Sequence, residues 1–268
     1  MKAALGDSPG EAVHYHLRLD DELTPLNPLI GKTVKLEHTG QIHCTECGRK
    51  TNKSFSQGFC YPCFTKLAQC DSCIMSPEKC HFHLGTCREP EWAESHCMVD
   101  HIVYLANSSG VKVGITRGNQ VPTRWIDQGA TQAMPLFRVK SRYQSGLLED
   151  ALRQHVADKT SWQAMLKGNA LPVDLAEVGE SLKAKIAEPL ANLQNQFGVQ
   201  AIQPLAAETV EINYPVLEFP TKVKSFNLDK SPVAEGTLMG IKGQYLIMDT
   251  GVINLRKYTA YHVEFSHG

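Results

Sequence analysis

Apolar and polar positions alternate along His14–Leu19 (HYHLRL) and again along Lys32–Glu37 (KTVKLE), a period of two that predicts half-buried strands. Thr39-Gly40 reads as a turn, with Ile42 opening a return strand. From His101 to Ala106 (HIVYLA) the chain is strongly apolar; Ser108-Ser109-Gly110 then predicts a turn and Val111–Ile115 (VKVGI) the returning arm of a hairpin. Pro122 predicts a helix start, Leu136–Val139 a third strand, and Leu147, Leu148, Ala151, Leu152 and Val156 a helical stripe over Ser145 to Ala157. A second stripe (Leu175, Val178, Leu182, Ile186, Leu190) predicts helix over residues 173–197, with Pro189 splitting or kinking it. Beyond Ala206 the pattern turns strand-like again, over 210–214, 221–226, 236–241, 244–249 and 252–255, as a small antiparallel barrel or sandwich would require.

These elements predict an α+β protein of five segments. They are an N-terminal β segment (1–43), a cysteine-rich domain (44–100), a hairpin-and-helix core (101–170), a helical connector (171–200) and a C-terminal β barrel (201–268). The gap in the pattern, 44–100, is where the chemistry lies. All nine cysteines fall between Cys44 and Cys97. An odd number, crowded and often paired as CxxC, argues for metal over a disulfide framework. Cys44-x2-Cys47 and Cys60-x2-Cys63, twelve residues apart, are spaced to close one tetrahedral thiolate site. Zinc is favoured there, with iron still open. A second site is expected from Cys70, Cys73, Cys80 and Cys87, with His83 or Cys97 as a substitute ligand. No HExxH motif is present, so both sites read as structural.

Composition changes this picture little. Of the 268 residues 42% are hydrophobic and the formal net charge is -1, so no whole-molecule argument favours nucleic acid or membrane. Locally, residues 102–169 hold nine Lys/Arg against four Asp/Glu, a basic block compatible with a nucleic-acid face. Neither an apolar run of about 18 residues nor a hydrophobic signal core is seen, and a cytoplasmic, reducing location is expected.

The hairpin Ile102-Val103-Tyr104 with Lys112-Val113-Gly114, followed by Arg124 on a predicted helix and Glu149 on a later one, resembles the GIY-YIG nuclease superfamily. The span from Cys44 to Gly168, through GTCREPEW, VGITR, PTRWIDQGA and MLKG, also resembles a bacterial family of unknown function that joins a cysteine-rich part to a GIY-YIG-like core. The superfamily resemblance implies that Tyr104 activates water, that Arg124 neutralises the phosphorane, and that Glu149 holds Mg²⁺ or Mn²⁺. Gly114 would let the backbone approach the phosphate. Lys112 departs from the pattern, standing where a second tyrosine is usual; it could bind phosphate but cannot repeat a phenol's proton handling. Arg117, Lys140 and Arg142 would extend a phosphate-binding face. DNA and RNA stay open as partners. The alternatives are a non-catalytic, zinc-dependent nucleic-acid-binding module and a protein-interaction scaffold using the 173–197 helix. The aromatics Phe55, Phe59, Tyr61 and Phe64, and Trp125 and Trp162, are expected to pack as core.

Overall fold

A computed structural model describes residues 1–156 and 161–268. In chain order the strands and helices are β1 (Lys2–Ala4), β2 (His14–Leu19), β3 (Glu22–Pro25), β4 (Thr33–His43), β5 (Lys50–Thr51), α1 (Tyr61–Lys66) and α2 (Pro90–His96). The hairpin β6 (His101–Asn107) and β7 (Val111–Arg117) follows, then α3 (Thr123–Asp127), β8 (Gln132–Val139), α4 (Arg142–Leu152) and α5 (Trp162–Leu166). Two helices, α6 (Leu175–Lys185) and α7 (Ala187–Phe197), lead into β9 (Ile202–Pro204), β10 (Val210–Glu211), β11 (Val233–Lys242), β12 (Tyr245–Met248), β13 (Gly251–Asn254) and β14 (Tyr261–His267).

β4 is the seam between the two ends of the chain. It pairs with β11 on one side and β14 on the other, in a sheet ordered β13-β12-β11-β4-β14 with β5 added to β4. β4 and β11 to β14, from segments that the sequence pattern separates, therefore share one sheet, while β1, β2 and β3 form a sheet of their own. Val34 and Leu36 point into the core while Lys35 and Glu37 face outward, the alternation that predicted the strand. The turn expected at Thr39-Gly40 is absent: β4 runs through it. Gly40 instead takes φ +83° where the pairing with β14 shifts register between Tyr261 and Val263. A left-handed glycine lets a strand absorb extra residues as a bulge without reversing. Residues 221–226 form no strand beyond an isolated bridge from Ser225 to Val252.

The predicted hairpin forms in full register, with Tyr104 opposite Gly114 and Ala106 opposite Lys112. β8 lies on the other side of β6, giving the order β10-β8-β6-β7 with β9 on β8. Pro135 sits opposite Tyr104 where that pairing slips, the place where an interior strand tolerates a residue without an N–H. One face of this sheet (Val103, Leu105, Val113) is covered by Leu148 and Leu152 of α4 and Leu175 and Leu182 of α6. The opposite face, with Tyr104 and Ala106, joins Trp125 and Ile126 of α3 and Leu36, Leu238 and Leu246 of the β4-containing sheet in a second core. The 173–197 helix divides at Ile186, because Pro189 cannot donate to a carbonyl four residues back. The helix expected over 145–157 starts earlier, at Arg142, on a Ser141 cap whose side chain accepts from the Gln144 N–H. Its expected last residue, Ala157, lies outside the described residues.

α4 also touches the cysteine-rich region. A Cβ on Gly146 would lie 2.5 Å from the Glu78 nitrogen and 2.6 Å from the Pro77 carbonyl carbon, both backbone atoms. Gly146→Ala must push that segment off α4, and a loss of about 1–3 kcal/mol is expected from the overpacking. Urea unfolding of the two proteins measures it; an unchanged midpoint would show that the contact is not tight.

Candidate functional site

Cys44 follows β4 directly, Cys60 immediately precedes α1, and Cys63 lies in the first turn of α1. The loop is closed by backbone hydrogen bonds, Cys44 N–H to Arg49 O and Gly48 N–H to Cys44 O, both 2.9 Å, and by Thr45 N–H to Gly58 O, 2.9 Å. As a result the Sγ atoms of Cys44, Cys47, Cys60 and Cys63 all lie within 4.8 Å of one another, with Cys47 and Cys60 3.7 Å apart. Sulfurs bound tetrahedrally at the usual zinc–sulfur length stand ~3.8 Å apart. The donor set therefore fits zinc. Burial pushes the Cys44 thiol up, but N–H groups of Cys47, Cys60 and Glu46 outweigh it and hold the pKa down to about 6. Cys63 goes the other way, to about 12, through burial and its crowded neighbours. A divalent ion relieves that crowding by taking the place of the protons.

The remaining cysteines divide differently from the expected set. Cys73, Cys80 and Cys87 line one small cavity, and Cys97 completes its wall. Cys70 is not on that wall; it interacts with Ser56 and feels Arg88, Cys44 and Glu46, on the side of the first site. His83 stacks on Tyr143, ring centroids 5.3 Å apart. Asp71, Cys73 and His81 bring ligand-type atoms within 4.8 Å of each other.

On the hairpin, Tyr104, Arg124 and Glu149 share one electrostatic neighbourhood. Tyr104 is fully buried, and that burial, followed by the opposed effects of Arg124 and Glu149, pushes its hydroxyl up to about 12. Gly114 makes room for the ring: a Cβ there would sit 2.8 Å from its Cζ and hydroxyl oxygen. The hydroxyl lacks a hydrogen-bond partner at ordinary geometry, though Arg124 and Gln128 approach it. Lys112 belongs to the same face of the sheet, two residues from Gly114. Burial, then the Arg124 charge, lowers its pKa to about 8.

The other expected phosphate contacts are placed otherwise. Lys140 is exposed and ion-paired with Asp100 at 3.2 Å, a carboxylate that also holds Arg138. Arg142 turns toward the cysteine-rich region: its Nη2 donates to Ile74 O at 2.6 Å and its N–H to Cys97 O at 2.7 Å. Arg117 stays half-buried at the end of β7, opposite His101. Trp125 is core, packed against Tyr104, whereas Trp162 is 40% exposed and stacked on Tyr245. Phe55 stacks with Phe64 and meets Tyr61, but Tyr61 is 60% exposed and Lys53 lies over the Phe55 ring, so the ribbon's aromatics form a half-open face. Sequence reasoning overlooked Gln128. Its place one helical turn beyond Arg124 was the available signal.

The fold and site define a mixed α/β protein with antiparallel sheets and a four-cysteine cluster able to hold zinc. The chain belongs to the family described as "Protein of unknown function (DUF2797)", which matches residues 31–263. No curated protein and no solved structure matches it. Among the described residues no helix is long and apolar enough to cross a membrane.

Two outcomes follow from this geometry. Cys60→Ser should lower bound zinc by one ion per chain, read by elemental analysis of the purified protein; unchanged zinc would show that these four thiols hold none. Lys112 titrates in the folded protein near 8 against its ordinary value of 10.5. Between those values the unfolded chain binds more protons, so the penalty of burying this ammonium is complete below pH 8 and fades as pH rises to 10.5. Lys112→Met should therefore be more stable than the parent at pH 7, with the difference shrinking across that window. A constant difference in Tm from pH 7 to 10.5 would contradict the assignment.

Proposed function

We propose that this is a zinc-braced protein that binds nucleic acid through a phosphodiester held at the hairpin. The observation that carries this reading is the pair Lys112 and Arg124. They come from different elements, are half-buried, and are close enough that the guanidinium depresses the ammonium's pKa. Folding brings two like charges together at a cost, and a bound phosphate would offset it. Glu149, whose charge reaches Tyr104, completes the same region as the acid that would set the register of a phosphate or its counter-ion, while Arg117 lies five residues along β7 from Lys112, beside His101.

Binding to DNA or RNA should weaken steeply with salt, because phosphate contacts release counter-ions. Arg124→Ala and Lys112→Met should each weaken it about tenfold and lower the salt slope by about 1. Fluorescence anisotropy of labelled DNA and RNA oligonucleotides across a salt series measures both. Salt-independent affinity, or variants that bind as the parent does, would dismiss a phosphate-contact mode.

Hydrolysis of that phosphodiester is the second reading, favoured by the meeting of Tyr104, Arg124 and Glu149 and by the resemblance to GIY-YIG nucleases. Glu149 would hold a divalent ion, which supplies charge neutralisation at the scissile phosphate when bound. A single carboxylate suits magnesium only where substrate oxygens complete the shell. Glu149 belongs to no three-residue metal-capable cluster among the described residues. A buried phenol with its pKa near 12 is also a weak base at neutral pH. Binding therefore ranks ahead of turnover. Mg²⁺-dependent cleavage by the parent and none by Glu149→Ala would reverse that order.

A further inference from the structure

The stretch 68–89 contains no α-helix and no strand. It is four successive 3-10 turns, Ala68–Cys70, Ser72–Ile74, Pro77–Lys79 and Phe82–Leu84. Ala68 is its one buried hydrophobic residue, and Met75 and Leu84 are exposed. Burial of so little apolar surface cannot offset the entropy of ordering more than twenty residues. Yet this segment is wound so that three of its thiols, with the Cys97 thiol just past the end of α2, meet around one cavity of about 10 Å³. That is room for one small ion or water. The rest of the wall is largely apolar: Ile74, Phe82, Trp92 and Ala93.

We propose that Cys73, Cys80, Cys87 and Cys97 form a second tetrathiolate zinc site, and that Cys70 is outside it. The competing donors on the wall are already engaged. Asp71 accepts from Arg88 Nε at 2.7 Å and from the Ser72 hydroxyl at 3.1 Å. His81 pairs through Nδ1 with the Thr86 hydroxyl at 2.8 Å, and its Nε2 faces Asp71 at 3.6 Å. What remains is four soft donors lining one cavity, no three of their sulfurs within 4.8 Å of one another, the set that selects zinc over harder ions once an ion draws the turns together. Cys97 also ties the site to α4, since its carbonyl accepts the Arg142 N–H while Arg142 Nη2 reaches Ile74. The metal thereby fixes the segment against which Gly146 packs.

The site is independent of the nucleic-acid reading, and metal counting tests it directly. Native mass spectrometry of the full chain is expected to find two zinc ions. Cys97→Ser should retain one, Cys47→Ser one, and Cys70→Ser two. Zinc-edge absorption of the parent should show a sulfur shell alone. Should a variant fail to fold, the parent answers through N-ethylmaleimide mapping: Cys70 should be alkylated first, with Cys73, Cys80, Cys87 and Cys97 protected until a chelator is added. One zinc in the parent, a nitrogen or oxygen shell, equal zinc loss in Cys70→Ser and Cys97→Ser, or early alkylation of Cys97 would each overturn the proposal.

Discussion

The convergence of four thiols able to hold one metal ion is the constraint on which residues 44–97 turn. Between Cys44 and Cys97 the buried hydrophobic residues are three cysteines and two alanines, Ala68 and Ala93. Each buried alanine removes little surface from water, and at ~25 cal/mol per Å² such a segment has no core of its own. Structural zinc sites supply folding free energy outright, which makes a span of this composition able to hold one shape. The sulfur geometry at Cys44, Cys47, Cys60 and Cys63 matches that role, and the short backbone hydrogen bonds around Cys44 supply the donors that a thiolate needs.

The cysteine-rich region joins the sheets at both ends. At one end β4 runs out of its sheet straight into Cys44. At the other, α2 ends at His96 and its cap residue Cys97 lies four residues before β6 begins. Arg142 bonds across this second junction, so the N-terminus of α4 takes its position from the cysteine-rich segment. Its other contacts are apolar, through Leu148 and Leu152 to the hairpin. Lys112 on β7 and Arg124 on α3 come near enough for the guanidinium to lower the ammonium's pKa. A charge pair of this kind survives only where surrounding structure determines it.

Much of this was legible in the chain, and the failures have definite causes. The hairpin was readable because alternation, a Ser-Ser-Gly turn and an apolar run agreed at 101–115. The first thiolate site was readable because its ligands form two close pairs. The second set was less legible, since Cys73, Cys80, Cys87 and Cys97 line one cavity from separated turns, whereas the CxxC spelling of Cys70 and Cys73 speaks only for neighbours in the chain. The Thr39-Gly40 turn failed because glycine with positive φ serves a bulge as readily as a reversal. Nothing local in 1–43 announces that β4 will be completed by residues 233–267, because strand pairing over that separation is written only in complementary faces.

The burial of Tyr104 separates the two things a hairpin of this type can do. One face of the sheet must be covered somewhere, and here the β4-containing sheet shares a core with it in which the phenol packs on Trp125. Removing that hydroxyl from water raises its pKa to about 12 and leaves it without an ordinary hydrogen bond. Such an unpaired buried hydroxyl costs about 1–3 kcal/mol. Lys112 and Arg124 keep partial exposure at the edge of the same core. Phosphate binding needs only those cations to be reachable, whereas proton abstraction needs water at the phenol. Sealing the phenol while leaving the cations partly exposed therefore favours the proposed phosphate binding over the proposed hydrolysis.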